Sequence, residues 1–292
     1  MICVDNLICR FNAGDPPVIA GLNLEIREGE YVALIGPNGS GKTTFSKHLN
    51  ALLVPTEGSV RVDDMDTRNQ AHVKEIRRRV GMVFQNPDSQ IVGMTVEEDV
   101  AFGPGNLRLP PSEIRQQVDS ALAAVGMANF AKRNPQTLSG GEKRLLAIAG
   151  ILVMKPKYLI LDEPTAYLDP SGRQRVLEMV KKLNGDGMSI IHIVHDMSDI
   201  GDAGRVVVIA GGRLLSDGSP RDVLAGFETL KSVGLSVPQV TELMHLLSRE
   251  GFAVSTNLLT VEEACGEIAS LISRGHGAFA GPAPQRKAAG NV

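Results

Sequence analysis

Tryptophan is absent from this 292-residue chain and only 4% of it is aromatic, so its 43% hydrophobic content is carried mainly by aliphatic side chains. Positive charge is not in excess either. Thirty Lys and Arg face 33 Asp and Glu, for a net charge of −3. That excludes the basic footprint by which nucleic-acid binders neutralise phosphates, and no nucleic-acid partner is expected. Cysteine is scarce: Cys3, Cys9 and Cys265 have neither metal-ligand spacing nor a paired framework, which points to reduced thiols. The first residues include Asp5 and no charged-then-apolar leader, so a secretory signal is not expected. The most apolar stretch, Leu145 to Met154, is far shorter than the roughly 20 residues that cross a bilayer. Any work at a membrane would need other chains to supply the span.

The length suits one large α/β domain with an appended piece. Short β-branched runs alternate with helical patterns, the signature of a mostly parallel sheet covered by helices. Tyr31–Ile35, Val80–Phe84, Tyr158–Asp162 and Ser189–Val194 read as buried strands, while Leu22, Leu24 and Ile26 alternate as in a half-exposed antiparallel strand. Val206–Ala210, Gly211-Gly212 and Arg213–Ser216 read as a hairpin, because two glycines permit a turn with positive φ.

Between Asn86 and Pro156 the β signal disappears. Thr95 and Glu98 form a capping box, and Ser112 is expected to open an amphipathic helix carrying Ile114, Val118, Ala121, Leu122 and Val125, stopped at Gly126. Past Gly226, Val240, Leu243, Met244 and Leu247 form one helical stripe. Thr260 and Glu263 cap another helix, with Ala264, Ile268, Leu271 and Ile272 expected inward. The expected organisation is an α/β nucleotide-binding core over 1–85 and 157–226, an inserted helical subdomain over 86–156, a small C-terminal helical region over 227–274 and a disordered tail over 275–292. No internal repeat is present.

Gly36-Pro37-Asn38-Gly39-Ser40-Gly41-Lys42-Thr43, followed by Thr44, fits G-x-x-x-x-G-K-[ST] between an apolar strand and a helical pattern. Glycines there let backbone N–H groups wrap phosphates at a helix N-terminus; Lys42 reaches the outer phosphates and the Thr43 hydroxyl ligates Mg²⁺. A glycine-rich turn before an ordinary helix is the plain alternative, and the strand–loop–helix context argues against it. Tyr158–Asp162 puts Asp162 at the carboxyl edge of the sheet, where it can hold the shell of the metal, and Glu163 follows as a general base for water. A solvated loop start would also explain an Asp-Glu pair. Leu138-Ser139-Gly140-Gly141-Glu142 opens a further helix, a second anion site made of bare N–H groups and the Ser139 hydroxyl. A second phosphate-binding helix end beside one P-loop suggests that nucleotide is shared between two copies of the chain.

Taken together, the P-loop, Gln85 after a strand, Leu138–Gly141, the Asp162-Glu163 strand end, Ala166-Tyr167-Leu168-Asp169 and His195 after another strand resemble the ordered motif set of the ABC ATPases. The resemblance implies a P-loop NTPase core of ABC type, mostly parallel with antiparallel edge strands. It also implies ATP and Mg²⁺ as ligands, and a head-to-tail dimer in which Ser139, Gly140 and Gly141 contact ATP held by the opposite subunit. On the same basis Gln85 contacts Mg²⁺ and the attacking water, His195 clamps the γ-phosphate, Asp169 links the two sites and Phe11 stacks on adenine. Asp169-Pro170 also reads as an N-cap followed by a proline at N1, which leaves a purely structural role open.

A narrower resemblance covers about residues 1–272. Val83–Gln90 running into Thr95–Gly103, together with Gly234–Leu243 and Leu259–Glu263, is similar to the energy-coupling factor (ECF) transporter ATPases, which include cobalt and nickel uptake ATPases. It implies a peripheral subunit on the cytoplasmic face of the cell membrane, energising uptake of a metal ion or vitamin. Its partners would be a second ATPase subunit, a transmembrane coupling subunit met by the Gln90 segment, and a substrate-specific membrane subunit. Two departures stand out: Glu142 replaces the usual Gln, and Leu145 replaces an Arg, with Arg144 one residue earlier. Ser139 and Glu142 make a capping box that can hold the carboxylate against the helix dipole. A catalytically weak or regulatory subunit paired with an active paralogue is the competing expectation. Other ABC classes fit less well, because the Lys42–Ser139 interval carries no heptad run and the chain has one motif set.

Overall fold

The computed structural model describes residues 1–12 and 14–274. They divide into two compact units, Met1–Pro220 and the residues from Arg221 onward, so the division falls a little before the expected boundary at 226. The expected tail, 275–292, lies outside the described residues.

In the first unit β1 (Ile2–Cys9), β2 (Ile19–Ile26), β4 (Glu57–Val62) and β5 (Met65–Asp66) form an antiparallel sheet ordered β2-β1-β4-β5. The second sheet is ordered β10-β9-β3-β8-β7-β6. Its members are β3 (Tyr31–Ile35), β6 (Val80–Val83), β7 (Tyr158–Asp162), β8 (Ser189–Ile193), β9 (Arg205–Ala210) and β10 (Arg213–Gly218). All neighbours in it are parallel except β9 and β10, which are joined by Gly211 and Gly212 at φ 54° and 73°. The four strands read from the sequence as buried form and are buried along their whole length, as strands covered on both faces must be, except that β6 ends at Val83 and leaves Phe84 half-buried beyond it. In the antiparallel sheet Leu22, Leu24 and Ile26 alternate inward as expected.

The core lies between the sheets. Ile2, Leu7, Ile19 and Leu22 meet Leu34, Ile160 and Ile191, with Phe45 and Leu49 of α1 (Lys42–Leu49) and Ile76 of α2 (Gln70–Arg79) packed beside them. Burying each such side chain is worth about 1.5–3 kcal/mol, which fixes the strand ends that carry the polar residues described below. The Tyr31 hydroxyl and His192 Nδ1, 3.0 Å apart, tie β3 to β8 inside this core.

From Asn86 to Pro156 the regular elements are helices: α3 (Val96–Asn106), α4 (Pro111–Ala124) and α5 (Gly140–Leu152), with short 3-10 turns before α3 and between α4 and α5. The Thr95–Glu98 capping box forms in both directions. Helix α4 opens at Pro111 rather than at Ser112, and its N-cap Pro110 has no side-chain bond; the fixed φ of a proline at N1 starts the helix without a capping hydroxyl. Gly126, at φ 71°, ends it as expected.

The second unit holds α7 (Pro220–Ala225, which begins at the boundary), α8 (Phe227–Ser232), α9 (Gln239–Arg249) and α10 (Val261–Arg274). Glu263 accepts from the Leu259 and Thr260 N–H groups, the cap expected for α10. Met244 and Ala264 are buried, and Thr241 is buried with its hydroxyl on the Leu258 carbonyl. Ile272, expected inward, is instead 66% exposed, and Leu243 of the α9 stripe is 45% exposed. Two short helices offer each other only a narrow stripe, and Thr241 with its hydrogen bond takes part of it.

Candidate active site

Strand β3 delivers the chain into the loop Gly36–Gly41, which turns into α1 with Gly41 as N-cap at φ 100°. A Cβ on Gly36 would lie 2.1 Å from the Ile209 carbonyl oxygen, so only glycine lets the loop pass β9 this closely. Lys42 Nζ donates to the Gly36 and Pro37 carbonyls at 2.7 and 3.1 Å, spanning the loop. Burial pulls its pKa down, while Glu163 and Asp162 act in the opposite sense. Asn38, Gly39 and the Thr43 side are exposed at the loop's mouth, Thr44 is half-buried, and Ser40 is buried beneath them.

Thr43 Oγ1 lies 3.3 and 3.0 Å from the two oxygens of Asp162, the last residue of β7. Burial raises the Asp162 pKa, the Thr43 hydrogen bond opposes this, and neighbouring Glu163 adds to it. Glu163 follows with a left-handed φ of 48°, uncommon outside glycine, and its N–H is held by the Ile193 carbonyl at 3.1 Å. Gln85 Nε2, from just beyond β6, donates to Glu163 Oε2 at 2.7 Å. His195, just beyond β8, lines a cleft of about 270 Å³ together with Glu163, Thr165, Tyr167 and Arg173. Three adjacent parallel strands therefore deliver Gln85, the Asp162-Glu163 pair and His195 to one sheet edge, where a doubly wound sheet binds ligands. A hydroxyl and a carboxylate beside a phosphate loop form the oxygen-rich donor set that suits Mg²⁺, which takes its remaining ligands from phosphate and water.

Phe11 is 62% exposed in the loop after β1. That loop returns to β2 through the Val18 N–H on the Cys9 carbonyl, and a Cβ on Gly41 would meet the Val18 oxygen at 3.0 Å, so the Phe11 loop borders the phosphate loop.

The Ser139 end of α5 is a complete capping box: Glu142 Oε2 accepts from the Ser139 N–H at 2.7 Å and Ser139 Oγ from the Glu142 N–H at 3.3 Å. The Ser139 N–H, with the Ser139 side chain beside it, holds the Glu142 pKa below its ordinary value. Within one chain Ser139 and Gly140 are exposed, with Gly140 beside Leu168 and the buried Gly141 beside Gly172. Asp169 caps α6 (Pro170–Gly185): its oxygens accept from Ser171 Oγ at 2.6 Å and the Gly172 N–H at 3.3 Å. The structural reading of Asp169-Pro170 thus has direct bonds behind it.

Three features escaped the sequence reading. Gln90 spends its side chain on the backbone of β6 and its exit, accepting from the Phe84 N–H at 2.7 Å and donating to the Met82 carbonyl at 3.3 Å. Arg173 bonds Asp196 and Asp199, and Asp199 accepts from Thr165, linking the segments that follow β7 and β8. Arg144 is 2% exposed and bonds main-chain carbonyls of Phe84 and Gln85. A usable signal existed for Arg144. It shares the buried face Gly141, Leu145, Ile148 and Leu152 at helical spacing, which a solvated arginine would not.

The ABC transporter family model matches residues 19–166. The chain is 53% identical to the cobalt import ATP-binding protein CbiO of Syntrophus aciditrophicus, over 92% of this chain and 96% of that one. It is 52% identical to the energy-coupling factor transporter ATP-binding protein EcfA1 of Caldanaerobacter subterraneus subsp. tengcongensis, over 85% and 90%. Among solved structures it superposes on CbiO1 of Clostridium perfringens, part of the ABC transporter complex CbiONQ, with a TM-score of 0.73 at 35% identity, covering 84% of this chain and 98% of that one. A dimeric bacterial ABC transporter cassette, MJ0796, gives 0.68 at 30% identity over 75% and 98%. With its phosphate loop, its strand-end carboxylates and its capped signature helix in this order, the chain belongs to the ABC transporter family as an ATP-binding subunit.

Proposed function

We propose that this chain is the ATP-hydrolysing subunit of an ECF-type importer for a micronutrient, a transition-metal ion or a vitamin. The observation that carries the chemistry is the convergence of Thr43 on Asp162 and of Gln85 on Glu163 at the mouth of the phosphate loop. Backbone N–H groups of Gly36–Thr44 and Lys42 hold the phosphates of ATP, and exposed Phe11 is the aromatic that stacks on the base. Thr43 and Asp162, with Gln85, are the residues that would hold Mg²⁺, which when bound offsets charge on the phosphate oxygens. Glu163 takes a proton from the attacking water and His195 holds the γ-phosphate side of the cleft.

Ser139 and Gly140 leave the start of this helix open to solvent, with Gly141 buried behind them, and ATP held by a second subunit is its natural anion. Two subunits, identical or paralogous, close head to tail around two nucleotides, and hydrolysis removes the bridge. Exposed Leu243, Leu246 and Val261 suit the second unit to pairing with the other subunit. A groove of about 730 Å³ between α2, α3 and α5, bordered by exposed Val92 and Phe102 and by Lys74, Arg77 and Arg78, suits a segment of a transmembrane coupling subunit. A further membrane subunit selects the substrate. Among the described residues no helix is long and apolar enough to cross a membrane, in keeping with a peripheral site on the cytoplasmic face.

Steady-state ATPase assays test this reading. Glu163→Gln is expected to slow turnover by about 10²–10⁴-fold, the usual worth of a positioned general base, with ATP binding retained. Turnover near the parent level in that variant would remove Glu163 from the chemistry.

A further inference from the structure

Arg144 is the most deeply buried arginine described, and the chemistry proposed above makes no use of it. Its guanidinium donates through Nη1 to the Phe84 carbonyl at 2.7 Å, and through Nη2 to the Gln85 carbonyl at 2.6 Å and the Glu163 carbonyl at 3.5 Å. Nε has no partner. All its acceptors are main-chain oxygens, and they belong to the residues that leave β6 and β7 carrying the Gln85 and Glu163 side chains. An arginine placed only to fill space is a poor choice here. Taking a guanidinium out of water costs several kcal/mol, and every neighbour on the buried face of α5 is apolar or glycine. What a guanidinium adds is a rigid planar fork that can hold several carbonyls in a fixed relation. A second tie runs from the same turn of α5 to the same loop: Lys143 Nζ to Asp88 Oδ1 at 2.7 Å.

We propose that Arg144 is a positioning residue for hydrolysis: from the first turns of the Ser139 helix it clamps the backbone exits of β6 and β7, and so holds Gln85 and Glu163 in hydrogen-bonding register. The two side chains meet at 2.7 Å, and the register of that contact is set by the main chain on either side of it. The same clamp fastens the Ser139 end of α5 to the hydrolytic pair, so the helix start that faces a second subunit and the groups that act on water move as one body. Lys42, Thr43 and the phosphate loop lie outside the clamp, so the main hold on nucleotide does not depend on it. The inference rests on the reading that Gln85 and Glu163 act in hydrolysis.

Arg144→Met keeps the length and removes the fork; Arg144→Lys keeps the charge with a single donor centre. In the full-length chain, affinity for a fluorescent ATP analogue and KM for ATP are expected within about twofold of the parent for both. Turnover is expected to fall by at least about tenfold in Arg144→Met and less in Arg144→Lys, since sub-ångström to ångström misplacement of catalytic groups costs up to about 10²-fold. Because what the clamp sets is the Gln85–Glu163 contact, which Gln85→Ala already removes, adding Arg144→Met to Gln85→Ala is expected to lower turnover by less than twofold further. Turnover within twofold of the parent in Arg144→Met, or full additivity with Gln85→Ala, would overturn the proposal. So would loss of analogue binding in both Arg144 variants, which would assign the residue to the core alone. Glu163→Gln run alongside separates the two levels. If that variant hydrolyses normally the underlying reading falls, whereas if it is inactive and Arg144→Met is not, only the clamp does.

Discussion

Asp162 ends a buried strand with 4% of its surface exposed, and burial lifts its pKa above the ordinary carboxylate range. In the nucleotide-free protein this charge is a cost, accepted because the same carboxylate beside Thr43 suits a divalent cation. Asp162→Asn is therefore expected to raise the melting temperature of the nucleotide-free chain, by the equivalent of about 0.5–2 kcal/mol, while abolishing Mg²⁺-dependent turnover. The pH dependence has a definite sign. Below the ordinary carboxylate pKa both folded and unfolded forms are protonated and the cost is absent. As pH rises the unfolded chain ionises first, so stability falls until the folded carboxyl ionises as well. Thermal melts across that window should show the loss in the parent and a flatter profile in Asp162→Asn; parallel profiles would contradict it.

At the scale of elements, α5 shows how a departure from a family pattern is absorbed locally. Glu142 occupies a position where a neutral Gln is usual, yet its carboxylate closes a capping box on Ser139 and lies against the positive end of the helix dipole. Glu142→Gln is expected to leave ATPase turnover within severalfold of the parent; a rise by orders of magnitude would show that the carboxylate repels a neighbouring triphosphate. The phosphate loop, the strand-end pair, the capping boxes and the buried strands were legible in the sequence, because each depends on local spacing or on a continuous apolar run. Arg144 and Gln90 were not. Their roles are to satisfy main-chain carbonyls and N–H groups at the strand ends, and which side chain reaches which strand end is a matter of packing. The start of α4 was misplaced for a local reason, since Pro111 sets the first turn without help from Ser112. Ile272 was not legible as exposed, because helical periodicity identifies an apolar stripe and not what covers it.

For the whole molecule, two anion-seeking helix ends lie on one unit: α1 behind the phosphate loop and α5 behind Ser139. Only the first has the strand-end carboxylates at its mouth, so the second makes chemical sense when another copy brings its nucleotide to it. On the proposed head-to-tail pairing, the free energy of closure comes from ATP binding to the paired form, and cleavage of ATP removes it. The most direct test is sedimentation velocity on Glu163→Gln, which is expected to bind ATP while consuming it slowly. The account predicts monomers without nucleotide, dimers at saturating Mg-ATP and a return to monomers when ADP replaces ATP. A chain that stays monomeric at saturating Mg-ATP, even with its membrane subunits present, would contradict it.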